Sequence, residues 1–485
     1  MAAIGSETID SNSIRGSTSP GGYPGCRKVG YSLTMSKAKK NISVLLATML
    51  LMVPASSWAD AQGRPRSGKA AELSVTLERT GCFGTCPAYT VSIHGDGRVV
   101  FYSDPFTSYR GEGEKAPFAL IDGVLLPGHH KDFISSRGVA RLVRAARKIP
   151  FDKLQPEYRA PIADLPTYTL TVESGLTRRM IVDHSGPQVG LPASVTKLQL
   201  LIDELAGVSR WVRGSSGLTA WLDREKFDFH SIEASQLAVA AALGDGAQET
   251  IAGLVERGAP LEVAVTPSSS WRNSREVSPG TAGMLIFESA MRRGHGLVFR
   301  ALVKKGWLEK YGPANAAILF ARFGAGCSAD LVEAAAQAGI PIDVDHEPRL
   351  EATADDPLRQ TALATLTHST VCENGEGARV EAIERLLSKG ASPNSQNSLG
   401  QTPLYGIQSI GVANVLLKHG ADASITDKTG QSMVFGTTND AVVYRLLSAG
   451  ASPVGTYPDG RSLFDLAKSG KMPQTSKWLS KHGPR

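Results

Sequence analysis

Long apolar runs, blocks of one charge, cysteines and catalytic signatures are all scarce in this chain. The apolar run from Ile42 to Val53 is twelve residues long, and a membrane-spanning helix needs roughly 20, so no stable span is expected. No Lys/Arg block exceeds three residues, and although the net charge is +6, six basic and three acidic residues lie before Gly63, which leaves +3 for the rest. A balance that small gives no whole-protein field to draw in phosphates, so nucleic acid is not an expected partner. Neither a Gly-x-Ser-x-Gly elbow nor a His-Glu-x-x-His helix occurs, so no hydrolase nucleophile or zinc-protease pair is spelled out. The string Gly63 to Lys69 matches Gly-x4-Gly-Lys in letters only, because Ala70 replaces the magnesium-binding hydroxyl and no strand precedes it. These absences predict a protein that is not an enzyme and that has no cofactor and no metal.

What is present fits a soluble globular chain with two or three cores: 485 residues, 42% of them apolar. Lys37, Lys39 and Lys40 precede the apolar run, and Pro54, Ser57-Trp58-Ala59 and Ala61 follow it. That is the order of a secretory signal peptide. The expected division is a polar extension at 1–34, either disordered or an over-long start, a signal peptide at 35–61, and a linker at 62–71, which places the mature protein in the periplasm or outside the cell. Of five cysteines, Cys26 goes with the leader and Cys82, Cys86, Cys327 and Cys372 remain. An oxidising compartment lets thiols pair. Only the first two are close enough in sequence to assign, and a Cys327–Cys372 bond is left open.

Residues 72–208 read as a two-layer α+β domain. Leu73, Val75 and Leu77 alternate, as do Tyr89, Val91 and Ile93, and Gly95-Asp96-Gly97 turns the chain into Val99-Val100-Phe101, an antiparallel pattern. Val139, Leu142, Val143 and Ala146 fall at helical spacing with arginines opposite. Tyr168, Leu170 and Val172 resume strand alternation with a partner near Arg178 to Val182, and Val195 to Leu205 predict a closing helix. Residues 209–230 are expected to be a linker.

From about residue 231 the composition turns Ala- and Leu-rich. Leu386-Leu387-Ser388-Lys389-Gly390-Ala391 recurs 30 residues on as Leu416 to Ala421 and again as Leu446 to Ala451. Gly400-Gln401-Thr402-Pro403-Leu404, Gly430 to Val434 and Gly460 to Phe464 recur at the same interval. Such a period marks a stack of helical hairpins. These units resemble ankyrin repeats in the Gly-x-Thr-Pro-Leu opening, the Leu-Leu-x-x-Gly-Ala ending and the Asp422 or Asn394 that follows. Thr402 suits the cap and Pro403 the first turn of a first helix, and Gly420 suits the end of the second. Worn copies end at Gly258, Gly306 and Gly339, and six or seven units are expected over 231–485. The fold class is therefore an α+β domain followed by an all-α ankyrin-type solenoid.

The resemblance implies a concave face that grips a protein partner, with tip residues Asn397, Ser398 and Leu399, then Asp427, Lys428 and Thr429, then Tyr457, Pro458 and Asp459 as partner-binding candidates. A monomer is expected.

Arg79 to Tyr89, with Cys82-Phe83-Gly84-Thr85-Cys86-Pro87 at its centre and Gly95-Asp96-Gly97 beyond, resembles an uncharacterised bacterial domain family often found in exported proteins. That likeness spans about residues 72–206 and implies company in fold, not a reaction. The two thiols are also similar to the motif of thioredoxin-like copper chaperones, which implies Cu(I) or redox chemistry. Both of those uses want a helix N-terminus, and Ala88 to Ile93 alternates like a strand. A structural disulfide, a metal or redox site and a free thiol pair all stay open, the disulfide favoured. Asp183-His184-Ser185 and His129-His130-Lys131-Asp132 sit among Gly and Pro, which predicts solvent-facing loops for both.

Overall fold

A computed structural model gives the architecture. It describes residues 72–82, 86–104, 123–244, 246–265, 280–345, 360–368, 372 and 375–482, all within one compact unit, Arg64–Arg485. The extension, signal peptide and linker expected at 1–34, 35–61 and 62–71 lie outside the described residues, as does the Gly63 to Lys69 string. No described helix is long and apolar enough to cross a membrane.

Strands β1 (Leu73–Arg79), β2 (Tyr89–His94), β3 (Arg98–Ser103) and β4 (Gly128–Phe133) lead to helix α1 (Ser136–Arg147). Then come β5 (Glu157–Arg159), β6 (Tyr168–Ser174), β7 (Thr177–His184) and α2 (Ala193–Ala206). The seven strands lie in the order β4-β3-β2-β1-β6-β7-β5, antiparallel except for the β5–β7 pair. Val75, Leu77, Val91, Ile93, Val99, Phe101 and Leu170 alternate onto one face and are fully buried. Helix α2 crosses that face over β1 and β2 with α1 beside it. Ser135 starts α1 by accepting from Gly138 N at 3.2 Å, which satisfies one of the orphan amides of the first turn.

The linker expected at 209–230 is instead two short helices, α3 (Ser209–Arg213) and α4 (Leu218–Arg224). Their Trp211, Leu218, Trp221 and Leu222 are buried, apolar area that a solvated linker would not carry. Leu125 N and Leu126 N donate to the carbonyls of Val212 (3.0 Å) and Trp211 (2.8 Å) on the sheet side. On the other side Ala247 N donates to Gly214 O at 3.0 Å, Thr250 Oγ1 to Ser215 O at 2.6 Å, and Arg257 forks onto Asp223 at 3.0 and 2.7 Å. One hydrophobic core runs without a break from the sheet through these helices into the helical part.

That part comprises α5 (Ile232–Leu243), α6 (Gln248–Arg257), a small ladder of β8 (Ala264–Val265) and β9 (Gly280–Thr281), α7 (Ala282–Arg293), α8 (Gly296–Lys304), α9 (Trp307–Tyr311), α10 (Pro313–Arg322), α11 (Ala329–Gln337), α12 (Ala362–His368), α13 (Gly375–Ser388), α14 (Ile410–Lys418), α15 (Asp440–Ser448), α16 (Leu463–Lys468) and α17 (Pro473–His482). Helices α6, α8, α11, α13, α14, α15 and α17 pack each on the next as one row, and α5, α7, α10 and α12 pack in sequence as the other. Each hairpin buries its apolar side against its neighbours, so the array holds together one step at a time.

In the next two units the first row thins. Residues 403–406 make only a turn, and Met433–Gly436 a single 3-10 turn. The helix that Thr402 was to cap does not form, and Thr402 Oγ1 is buried without a hydrogen-bond partner. The cause is a close approach of main chains: a Cβ on Gly436 would collide with the Gly406 amide. At the position 30 residues further on stands Leu466, and there α16 forms behind a capping box of Ser462 and Asp465. The missing helical turns also account for a period shorter than full helix pairs would need.

Candidate functional site

The repeated tips share one backbone pattern. Asn397 N donates to Gln401 O at 3.0 Å, Asp427 N to Gln431 O at 2.9 Å and Tyr457 N to Arg461 O at 2.8 Å, and in each the glycine after the tip donates back, from Gly400, Gly430 and Gly460. Asn397 Oδ1 accepts from Leu399 N (2.9 Å) and Gln401 N (3.0 Å), and Asp427 Oδ1 accepts from Thr429 N and Gln431 N, both at 2.9 Å. Short polar side chains close turns in this way. Tyr457 occupies the same place in the third tip and cannot do so. Its ring is buried 5.2 Å from that of Phe435, burial pushes its hydroxyl up to about 12, and Asp459 closes the turn instead by accepting from Arg461 N at 3.1 Å and Arg461 Nε at 2.8 Å.

The tip candidates therefore divide. Asn397, Asp427 and Tyr457 build the tips, and Ser398 is half-buried. Leu399, Lys428, Thr429, Pro458 and Asp459 are exposed. Neighbouring tips are tied to one another: Lys428 N donates to Leu399 O at 3.0 Å, Asn394 Nδ2 to Gly420 O at 3.0 Å, and Asp422 N to Asn394 Oδ1 at 2.8 Å. Exposed side chains of unlike chemistry thus recur at regular steps on a hydrogen-bonded frame.

A second polar cluster lies at one end of the sheet. Tyr89 Oη donates to both oxygens of Asp203, each at 2.9 Å. Burial raises the Asp203 carboxyl from the usual 3.8 to about 6, against the lowering pull of the Tyr89 hydrogen bond and the Arg79 charge. Burial and then the Asp203 charge push Tyr89 well above its ordinary range. Arg79 is buried over the Tyr168 ring, 5.2 Å from its centroid, and its Nε and Nη2 have no hydrogen-bond partner. Both Asp203 oxygens accept from Tyr89 inside the fold. Sequence reading missed this cluster, although Gln199 and Asp203, one helical turn apart, interrupt the apolar side of α2.

Cys82 and Cys86 are bonded to each other, and β2 begins three residues after Cys86. Among the described residues on either side of this pair none is helical. Cys327 and Cys372 are also bonded. Among the described residues no three His, Cys, Asp or Glu side chains are grouped as metal ligands.

Of the two histidine-bearing stretches expected to be loops, His129 to Asp132 lies in β4, and Asp183 and His184 lie in β7 with Ser185 just beyond its end. Asp183 and His184 end β7 and are buried. Asp183 Oδ1 accepts from Gly186 N at 2.8 Å and Oδ2 from Gln199 Nε2 at 3.0 Å, while His184 bonds Thr167 Oγ1 (3.0 Å) and Ile162 O (2.7 Å). Every one of these contacts is to a group of the domain's own scaffold. In β4 the inward positions hold His130 and Asp132, opposite Phe101 and Val99. His130 is boxed by Phe101, Trp211 and Trp221, with centroids 5.8, 5.6 and 5.1 Å away, and burial lowers its pKa. Asp132 pairs with Arg210, and with Arg224 at 3.0 Å. His130 and Asp132 are half-buried, and the Asp132–Arg210 pair, largely withdrawn from solvent, needs partners of this kind.

Residues 73–206 match a family described as a domain of unknown function, DUF6438. No curated protein matches the chain. Among solved structures it is similar to the ankyrin repeat domain of Bcl-3, a member of the IkappaB family, at 16% identity over 48% of this chain and 91% of that one, with a TM-score of 0.27, a likeness too slight to fix the fold.

Proposed function

We propose that the chain is an exported, non-catalytic binding protein whose helical stack is of ankyrin type and grips a protein partner along its tips, acting as a monomer. The observation that carries this reading is the division of labour at the tips. Main-chain bonds and the side chains of Asn397 and Asp427 hold the frame, which leaves Leu399, Lys428, Thr429 and Asp459 exposed at successive steps. A rigid frame with unlike exposed groups suits recognition of a particular surface, in which a few side chains carry most of the affinity. Export rests on the leader pattern from Lys37 to Ala61 and accords with two bonded cysteine pairs.

The test is crosslinking in intact cells. A photoreactive side chain placed at Leu399, Lys428 or Thr429 is expected to capture one and the same protein, and the same probe at Tyr444, exposed on α15, is expected to capture none. Equal capture from both surfaces, or recovery of the chain in the cytoplasm, would overturn the reading.

A further inference from the structure

Helix α1 is one-sided in charge. Gly138, Val139, Leu142 and Ala146 are its buried residues, while Arg137, Arg141, Arg144 and Arg147, with Lys148 at the C-cap, are all exposed and no acidic residue accompanies them. Arg137, Arg141, Arg144 and Lys148 follow at steps of three and four, which aligns them in one row along the helix. An ordinary solvated face mixes signs. Residues 72–208 carry fifteen basic and fifteen acidic side chains, so five cations on one helix without an anion are a segregation within a neutral domain. Helix stability explains only part of it. Cations in the last turn complement the helix dipole, but Arg137 sits in the first turn, where a cation opposes it. Arg141 pairs with Glu204 of α2 at 3.0 Å. The other four have no ion pair among the described residues. The same pair sets the outward line of α2, Lys197, Leu200 and Glu204, beside the arginine row, and Leu200 is 46% exposed.

We propose that this outer face of α1 and α2 docks on a plane of anionic phospholipid headgroups. The row from Arg137 to Lys148 is straight and about 16 Å long, at about 1.5 Å per residue. It stands on the helical layer, which covers the sheet and forms one side of the domain. Guanidinium groups fork onto phosphate oxygens, and Leu200 supplies an apolar side chain at the level of the headgroups. A nucleic-acid duplex fits less well: its grooves are read by polar side chains that reach base edges, and the exposed uncharged neighbour of this row, Leu200, is aliphatic. Each basic residue at such a surface changes affinity by about fivefold.

The full-length purified protein is tested by co-sedimentation with vesicles of phosphatidylcholine alone or mixed with phosphatidylglycerol, and against a short DNA duplex in the same buffer. Binding is expected to the mixed vesicles only and to weaken as salt rises. An Arg137→Ala/Arg144→Ala variant is expected to bind them about 25-fold more weakly with its melting temperature unchanged. The control, Lys477→Ala/Lys481→Ala on exposed positions of α17, removes the same charge and is expected to bind like the parent. Equal losses in both variants, tighter binding to the duplex than to the vesicles, or no vesicle binding by the parent protein would each overturn the proposal. Tip crosslinking in intact cells reports on a separate surface, so either result stands without the other.

Discussion

The upstream and downstream halves of the helical stack meet the same packing demand with different amounts of helix. Upstream, α5, α7, α10 and α12 give every unit a first helix, and α7 places Phe287 between Phe299 and Tyr311 with ring centroids 5.8 and 4.8 Å away. Downstream, two units reduce that helix to a turn and let the main chains of Gly406 and Gly436 approach each other. The second row, α6 to α17, continues through both halves. What a unit needs for its place in this array is therefore its second helix and its tip, and the first helix is the adjustable part.

The sharpest way to break that comparison is to open the first row on each side. Phe287→Ala is expected to cost about 3–5 kcal/mol in urea unfolding, and Phe435→Ala, in a single 3-10 turn, clearly less; equal losses would erase the distinction. The sheet domain has to be told apart from both halves, and pH does this. The carboxyl of Asp203 titrates near 6 when folded against its usual 3.8. Between those values folding takes up a proton, so stability falls as pH rises through that window and levels off above it, by at most about 3 kcal/mol. Asp203→Asn is expected to flatten that slope, and an unaltered slope would remove the carboxyl from the account. Smallest is Gly436→Ala, expected to cost about 1–3 kcal/mol as the new methyl pushes two main chains apart. An unchanged melting temperature would show that the downstream turns have room for a longer helix after all.

Much of this architecture can be read from the residues, and each failure has a local cause. The strand alternation of Val75 and Leu77 and of Val91 and Ile93 and the 30-residue recurrence from Leu386 to Ala451 are direct consequences of burial on one face, and both are visible as spacing. Strand β4 hides because its inward positions are His130 and Asp132, whose partial burial depends on Trp211, Trp221, Arg210 and Arg224 far along the chain. Helices α3 and α4 hide because they are only five and seven residues long, below the length at which helical periodicity declares itself. Thr402-Pro403 reads as a helix start, and the contrary signal was Gly406 with Gly436 thirty residues on. At the tips the spacing finds the positions but not their division, since whether Asp427 closes a turn or faces outward depends on the amides within its reach.

The junction at α3 and α4 leaves no tether between the sheet domain and the stack. Hydrogen bonds to the carbonyls of Trp211 and Val212 on one side and of Gly214 and Ser215 on the other hold both parts on a common core. Whatever touches the sheet domain and whatever touches the tips do so at one fixed spacing. A molecule long enough to reach both gains from a high effective concentration at the second contact, without ordering a linker, and a shorter one gains nothing.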